Sequence, residues 1–167
     1  MTNRAKIELG HVQKTLFLPL WGRAVESKKR HPLLVDETAV KIIEQIEYDF
    51  APLTQKMDEL SQIAWVKRSQ ICDQVIKHFL THYPNGTVVN LGCGLDTTFE
   101  RIDNGQVRWY DLDLPDVIAL RRQWIQETPR RTCIATSLLE QEWLTVLSVE
   151  GQVLFMAAGV FYYFTEA

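Results

Sequence analysis

Two groups of residues in this chain have the types and spacing of a ligand site. The first is Asn90-Leu91-Gly92-Cys93-Gly94-Leu95-Asp96-Thr97. Glycine lacks a Cβ, so the backbone at Gly92 and Gly94 can turn sharply and a ligand can approach it closely. The second group is Asp111 and Asp113, 19 and 21 residues beyond Gly92. A carboxylate at that remove can accept both hydroxyls of a ribose in nucleoside-binding α/β folds. The dinucleotide fingerprint G-x-G-x-x-G needs a third glycine at position 97, where this chain has Thr97, so the loop fits NAD poorly. Each part has a plainer reading by itself: a G-x-G is a tight turn, and both aspartates serve equally to cap a helix opening at Pro115. Together they point to an adenosine-containing cofactor that requires no pyrophosphate cradle.

Other reactive side chains give weaker signals. His78 and His82 are four residues apart on a helical stretch, but no H-E-x-x-H pattern accompanies them, which reads as a solvated helix face without metal. His11 is near the N-terminus. Tyr162 and Tyr163 follow an apolar run, where contact with a substrate and packing in the core are both open. No residue stands out as a general base, and no catalytic residue is assigned.

The elements that must hold the glycine loop follow from patterning. Residues 15–80 show apolar positions at helical spacing and no β-branched run. Asp36 reads as the N-cap of a helix with Ala39, Ile42, Ile43 and Ile46 on one face. Pro52 interrupts the pattern. A longer helix over about 60–80 places Ile63, Lys67, Ile71, Val75 and Phe79 on one stripe, and carries Arg68. Pro84-Asn85-Gly86 is a turn signal. Beyond it come strands predicted at 87–91, 107–112, 131–135 and 152–157. Pro115 opens a helix between the second and third, bearing Val117, Ile118, Leu120, Trp124 and Ile125. Strands alternating with helices imply parallel pairing and right-handed crossovers, hence a doubly wound α/β sheet.

Composition narrows the function classes. The 167 residues, 46% hydrophobic and 23% charged, are ordinary for a soluble globular chain with one core. A net charge of -3 and a pI near 5.8 argue against a broad nucleic-acid grip, and Lys28-Lys29-Arg30-His31 reads as a solvated face. Cys72, Cys93 and Cys133 form no C-x-x-C pair, so neither a zinc knuckle nor a disulfide framework is expected. The longest apolar run, 153–164, is shorter than the ~20 residues of a membrane span. The start of the chain lacks the apolar stretch of a signal peptide. The expectation is a cytoplasmic protein with no membrane and no nucleic-acid partner.

Four ordered motifs make a resemblance specific. They are Leu18-Pro19-Leu20-Trp21-Gly22-Arg23-Ala24-Val25-Glu26-Ser27, the loop Gly92-Cys93-Gly94-Leu95-Asp96-Thr97, the strand end Trp109-Tyr110-Asp111-Leu112-Asp113-Leu114-Pro115, and Val153-Leu154-Phe155-Met156-Ala157-Ala158-Gly159-Val160. Over nearly the whole chain the sequence resembles the leucine carboxyl methyltransferase family. It is most similar to the bacterial branch of polyketide O-methyltransferases typified by tetracenomycin synthesis. The resemblance implies a class I, Rossmann-like S-adenosylmethionine-dependent methyltransferase acting on an oxygen, often of a carboxylate. It implies that Gly92, Cys93 and Gly94 line the cofactor, that Asp113 (with Asp111 as second candidate) takes the ribose, and that Ser137 and Leu138 hold the adenine. Arg68, assisted by Arg23, would grip the methionine carboxylate, a task suited to a planar guanidinium. Ala158 belongs to the same cofactor-binding set. Two departures are visible: Thr98 stands where the family usually has an arginine, and Ala158 where the carboxyl-methylating branch has an acid. The second fits the small-molecule branch.

The same resemblance implies a sheet cut short after its fourth strand, since the family is longer and its fold has seven strands. On this reading residues 1–83 form a helical cap and lid, and residues 84–167 the cofactor-binding α/β part of the same domain. The strand order expected is third, second, first, fourth. The fourth strand would then be a raw apolar edge, and a homodimer joined near 153–164 is expected. The predicted function is O-methylation of a carboxylate or hydroxyl on a small-molecule acceptor. The alternative is a non-catalytic S-adenosylmethionine-binding or interaction module.

Overall fold

A computed structural model describes residues 5–6, 11–47, 49–51 and 59–164, with side chains from residue 16 onward. The chain divides into two compact units, Met1–Ile71 and Cys72–Ala167. Pro52 and the side chain of His11 lie outside the described residues.

In the first unit, β1 (Ala5–Lys6) pairs in parallel with β2 (Ile46–Glu47), with Ala5 opposite Ile46. Helices α1 (His11–Ser27) and α2 (Glu37–Gln45) bury Phe17, Leu20, Ala24, Ala39 and Ile42. Asp36 starts α2 as its sequence position predicts: its carboxylate accepts from the Ala39 N–H at 2.9 Å. The other carboxylate oxygen accepts from Arg23 Nε at 2.8 Å, and both side chains are buried. Arg23, expected to assist a cofactor, is therefore engaged with the α2 cap.

The long helix α3 (Glu59–His82) forms, but its buried face is not the predicted stripe. Ile71 and Val75 are 57% and 51% exposed, whereas Val66, Ser69, Asp73, Ile76 and Leu80 are buried. The reason is periodicity. Positions four apart drift by about 40° at each step on a helix of 3.6 residues per turn, so 63-67-71-75-79 winds around the axis. Alternating steps of three and four, as in 66-69-73-76-80, stay on one face.

The second unit is built on a four-stranded sheet. Its strands are β3 (Thr87–Leu91), β4 (Arg108–Asp113), β5 (Arg131–Ala135) and β6 (Val153–Met156), all parallel, in the order β5-β4-β3-β6. That is the predicted order, and each boundary falls within one residue of prediction. Short helices α4 (Thr98–Ile102), α5 (Pro115–Arg121) and α6 (Trp143–Val146) connect them. Pro115 occupies the first turn of α5 as expected. The regular helix ends at Arg121, earlier than predicted, and the chain continues through a turn in which Trp124 N–H donates to the Arg121 carbonyl. Ile125 is nevertheless buried.

Side chains alternate across the sheet. Val88, Trp109 and Met156 pack with Ile76, Leu80, Phe99 and Ile102 on one face. Val89, Leu91, Tyr110, Leu112 and Ile134 pack with Trp143 on the other. Both faces are covered, which is why the strands read as near-continuous apolar runs. No described helix is long and apolar enough to cross a membrane.

The corrected helix face makes a direct test. Ile76→Ala should cost about 2–5 kcal/mol of unfolding free energy. Ile71→Ala, on the exposed side, should stay within about 0.5 kcal/mol of the parent in the same urea titration.

Candidate functional site

The loop 92–97 leaves the carboxyl end of β3, at the middle of the sheet. Gly92 and Gly94 adopt φ of 64° and 47°, the left-handed region that a side chain disfavours. At Gly92 space matters as well: a Cβ there would lie 2.4 Å from Val160 Cβ. The close approach permitted by Gly92 is thus made by the chain's own segment after β6. The N–H groups of Gly92 and Cys93 both donate to the Leu112 carbonyl, at 2.8 and 3.1 Å, tying the loop to β4. Asp96 accepts from the Thr98 N–H at 3.0 Å and so opens α4. Thr97, at the position of a third glycine, is buried, and its hydroxyl accepts from Arg101 at 2.9 Å.

Cys93 turns inward. Its side chain is buried with Ile118 and Cys133, and burial pushes the thiol pKa well above its ordinary value. A neutral, enclosed thiol is no nucleophile, and only the backbone of Cys93 remains to line a ligand.

Asp111 and Asp113 have separate fates. Asp111 is wholly enclosed. One carboxylate oxygen accepts from Trp109 Nε1 at 2.9 Å and Asn90 Nδ2 at 3.1 Å. The other accepts from Arg131 Nε at 2.8 Å and Arg121 Nη2 at 3.0 Å. Burial works against its charge, but the two guanidiniums outweigh burial and hold its pKa below the ordinary aspartate value. Asp111, the second ribose candidate, thus has both oxygens engaged inside the protein.

Asp113, two residues on, ends β4 at the sheet's carboxyl edge and is half-buried. Its Oδ2 accepts from the Gly94 N–H at 2.7 Å and its Oδ1 from the Leu114 N–H at 2.8 Å. It therefore binds the glycine loop and the entrance of α5 at once. Partial burial is the largest influence on it and raises its pKa, despite those two N–H donors. Each ionised carboxylate oxygen has two acceptor directions, and one described donor reaches each.

The remaining predicted residues are scattered. Ser137 and Leu138 lie in the turn after β5, which is joined to the same strand end by the Thr136 N–H donating to the Asp113 carbonyl at 3.0 Å. Ala158 is half-buried against the sheet's Val88 and Met156 face. Arg68 is half-buried on α3 and makes no hydrogen bond or ion pair with a described residue. Tyr162 and Tyr163 are exposed among the described residues. The rings of His78 and His82 are 4.8 Å apart, and no group of three or more metal-ligating side chains occurs among the described residues.

Arg121 and Arg131 were missed from sequence. A signal was present: Arg121 falls with Val117, Ile118 and Ile125 at the apolar spacing of the predicted helix, and a charge there requires a buried partner.

A parallel sheet with a glycine loop after its first strand and a carboxylate at the end of the adjacent strand is the arrangement of a Rossmann-like fold. The sequence model for leucine carboxyl methyltransferase matches residues 17–167, and the chain belongs to that family. It is 32% identical over 162 residues to the tetracenomycin polyketide synthesis O-methyltransferase TcmP of Streptomyces glaucescens, covering 96% of this chain and 59% of that protein. It is 29% identical over 133 residues to the S-adenosyl-L-methionine-dependent methyltransferase dpfgK of Gibberella zeae, covering 75% of this chain and 45% of that one. The chain thus spans about half the length of these relatives.

The buried carboxylate gives a pH-dependent expectation. A depressed native pKa stabilises above the unfolded value and loses that contribution as pH falls through the native one. Asp111→Asn should cost about 3–5 kcal/mol near pH 7, by leaving two guanidiniums without their shared anion. The gap to the parent should narrow in acid, below pH ~4, as followed by urea unfolding across a pH series.

Proposed function

We propose that this chain binds S-adenosylmethionine and serves an O-methyltransferase acting on a carboxylate or hydroxyl of a small molecule. The observation that carries the reading is Asp113, a half-buried acid fixed to the glycine loop by the Gly94 N–H and retaining acceptor capacity on both oxygens. Family membership and the printed activities of the two relatives support it.

S-adenosylmethionine, when bound, supplies a methyl group on a sulfonium that leaves as a neutral thioether. The protein's part is then to hold the cofactor, align the acceptor in line and exclude water. Asp113 takes the ribose hydroxyls, the backbone of residues 92–94 lines the cofactor, and Ser137 and Leu138 flank the base. Arg68 takes the methionine carboxylate; that it is half-buried on α3 and makes no hydrogen bond or ion pair with a described residue supports this. A carboxylate acceptor is ionised near pH 7 and needs no general base. A hydroxyl acceptor would gain from one.

Calorimetric titration tests the reading. S-adenosylhomocysteine should bind and NAD should not. Asp113→Asn should weaken binding by about 1.5–3 kcal/mol, the worth of a hydrogen bond to a charged group. Because the Asp113 pKa is raised, parent affinity should begin to fall at a higher pH on acidification than an ordinary aspartate would give. Arg68→Ala should cost about 2–5 kcal/mol for S-adenosylhomocysteine and little for adenosine, which has no carboxylate. Unchanged binding in Asp113→Asn would end the reading.

The reading extends to a cytoplasmic homodimer. Among the described residues β6 is the last strand of its sheet. Phe155 on that strand is 51% exposed, and beyond it Phe161 is 62% and Tyr162 91% exposed. Apolar surface of this kind supports self-association around a two-fold axis. Sedimentation velocity at micromolar concentration should show a dimer, and a monomer there would reject it.

A further inference from the structure

We infer that Arg121 is a positioning residue for the cofactor: it holds the glycine loop in its binding shape by gripping the Gly94 peptide carbonyl. This rests on the S-adenosylmethionine reading of the same site and assigns a role to a residue that touches no ligand.

Gly94, like Gly92, has little restraint of its own. It has a left-handed φ of 47° and no side chain to anchor it. Both of its backbone polar groups are nevertheless committed. The N–H donates to Asp113 Oδ2 at 2.7 Å, and the carbonyl accepts from Arg121 Nη1 at 2.8 Å. The first bond orients the acid proposed for the ribose, and the second fixes the loop residue that makes the first.

Arg121 is suited to this because its other terminal nitrogen is anchored. Nη2 donates to Asp111 at 3.0 Å, and Asp111 is itself held in β4 by Arg131, Trp109 and Asn90. A guanidinium is a rigid planar fork, so fixing one nitrogen fixes where the other points. The side chain is a buried strut from strand to loop. A pre-organised loop binds more tightly because less ordering remains to be done on binding.

Arg131 supplies an internal control. It donates to the same Asp111 oxygen at 2.8 Å and reaches Glu100, but the structure shows no bond from it to the glycine loop. Loss of either arginine removes one cation from Asp111, and only loss of Arg121 removes the grip on Gly94.

The experiment measures two quantities in the full chain: amide hydrogen exchange of Gly94 by NMR without ligand, and S-adenosylhomocysteine affinity by calorimetry. The variants are Arg121→Met, Arg121→Lys and Arg131→Met. Arg121→Lys keeps the buried positive charge and guards against a merely unfolded Arg121→Met. Both Arg121 variants should speed Gly94 exchange and weaken binding by about tenfold or more, as loss of a charged hydrogen bond does. Arg131→Met should lower the melting temperature and leave both readouts within about twofold of the parent, an effect of less than ~0.5 kcal/mol. A folded Arg121→Lys with parental exchange and affinity overturns the positioning role. So does an Arg131→Met that weakens binding as much as the Arg121 variants. If the parent chain binds no S-adenosylhomocysteine, the cofactor reading falls with it, and parental exchange at Gly94 in the Arg121 variants marks the separate failure of the grip.

Discussion

A single carboxylate in the middle of an apolar sheet sets the terms for everything around it. Asp111 lies in β4, flanked in register by Asn90 on one side and Cys133 on the other, with no access to water. An isolated charge there would carry a desolvation penalty of several kcal/mol, so it exists only with cations beside it. Those cations come from the end of α5 and the start of β5, two elements that the chain visits after β4. The register of the sheet, the length of the crossover helix and the seat of the glycine loop are therefore not independent. Each must be right for Asp111 to be neutralised.

The contrast with Asp113 shows how position along one strand divides structural from binding work. The two side chains are two residues apart, about 6.6 Å along a parallel strand, and point to the same face. One is inside the sheet and is consumed by arginines. The other is at its carboxyl end, where parallel α/β sheets present ligand sites, and is consumed only halfway, by two backbone N–H groups. Burial acts on both; compensation differs. Asp111 ends with a lowered pKa because two guanidiniums outweigh burial, and Asp113 with a raised one because two N–H dipoles do not.

Much of the second unit was legible in the amino-acid order. Runs such as Thr87-Val88-Val89-Asn90-Leu91 are largely apolar because helices cover both faces, and turn residues bracket them, so strand positions and parallel pairing could be read directly, while their order came from the family resemblance. The long helix was legible in extent and wrong in face, because a stripe of residues four apart looks regular in sequence and winds in space. The role of Gly92 also differed in kind. Its missing Cβ makes room for Val160, a residue 68 positions further along the chain that no local pattern could place there.

What the sequence determined by itself was periodicity, turn chemistry and the loop-to-acid spacing, since these are properties of neighbouring residues. From them come the α/β class, the strand positions and the candidacy of Gly92, Gly94 and Asp113; the strand order followed only from the family resemblance. Only the tertiary structure decided which of two aspartates stays available, because that depends on which cations arrive from elsewhere. It also decided that Cys93 turns inward, that Arg23 serves the α2 cap, and that Tyr162 and Tyr163 remain in solvent. The physical reason is common to all of them. A side chain's role follows from its burial and its partners, and partners separated by ten, twenty or more residues meet only when the chain has folded.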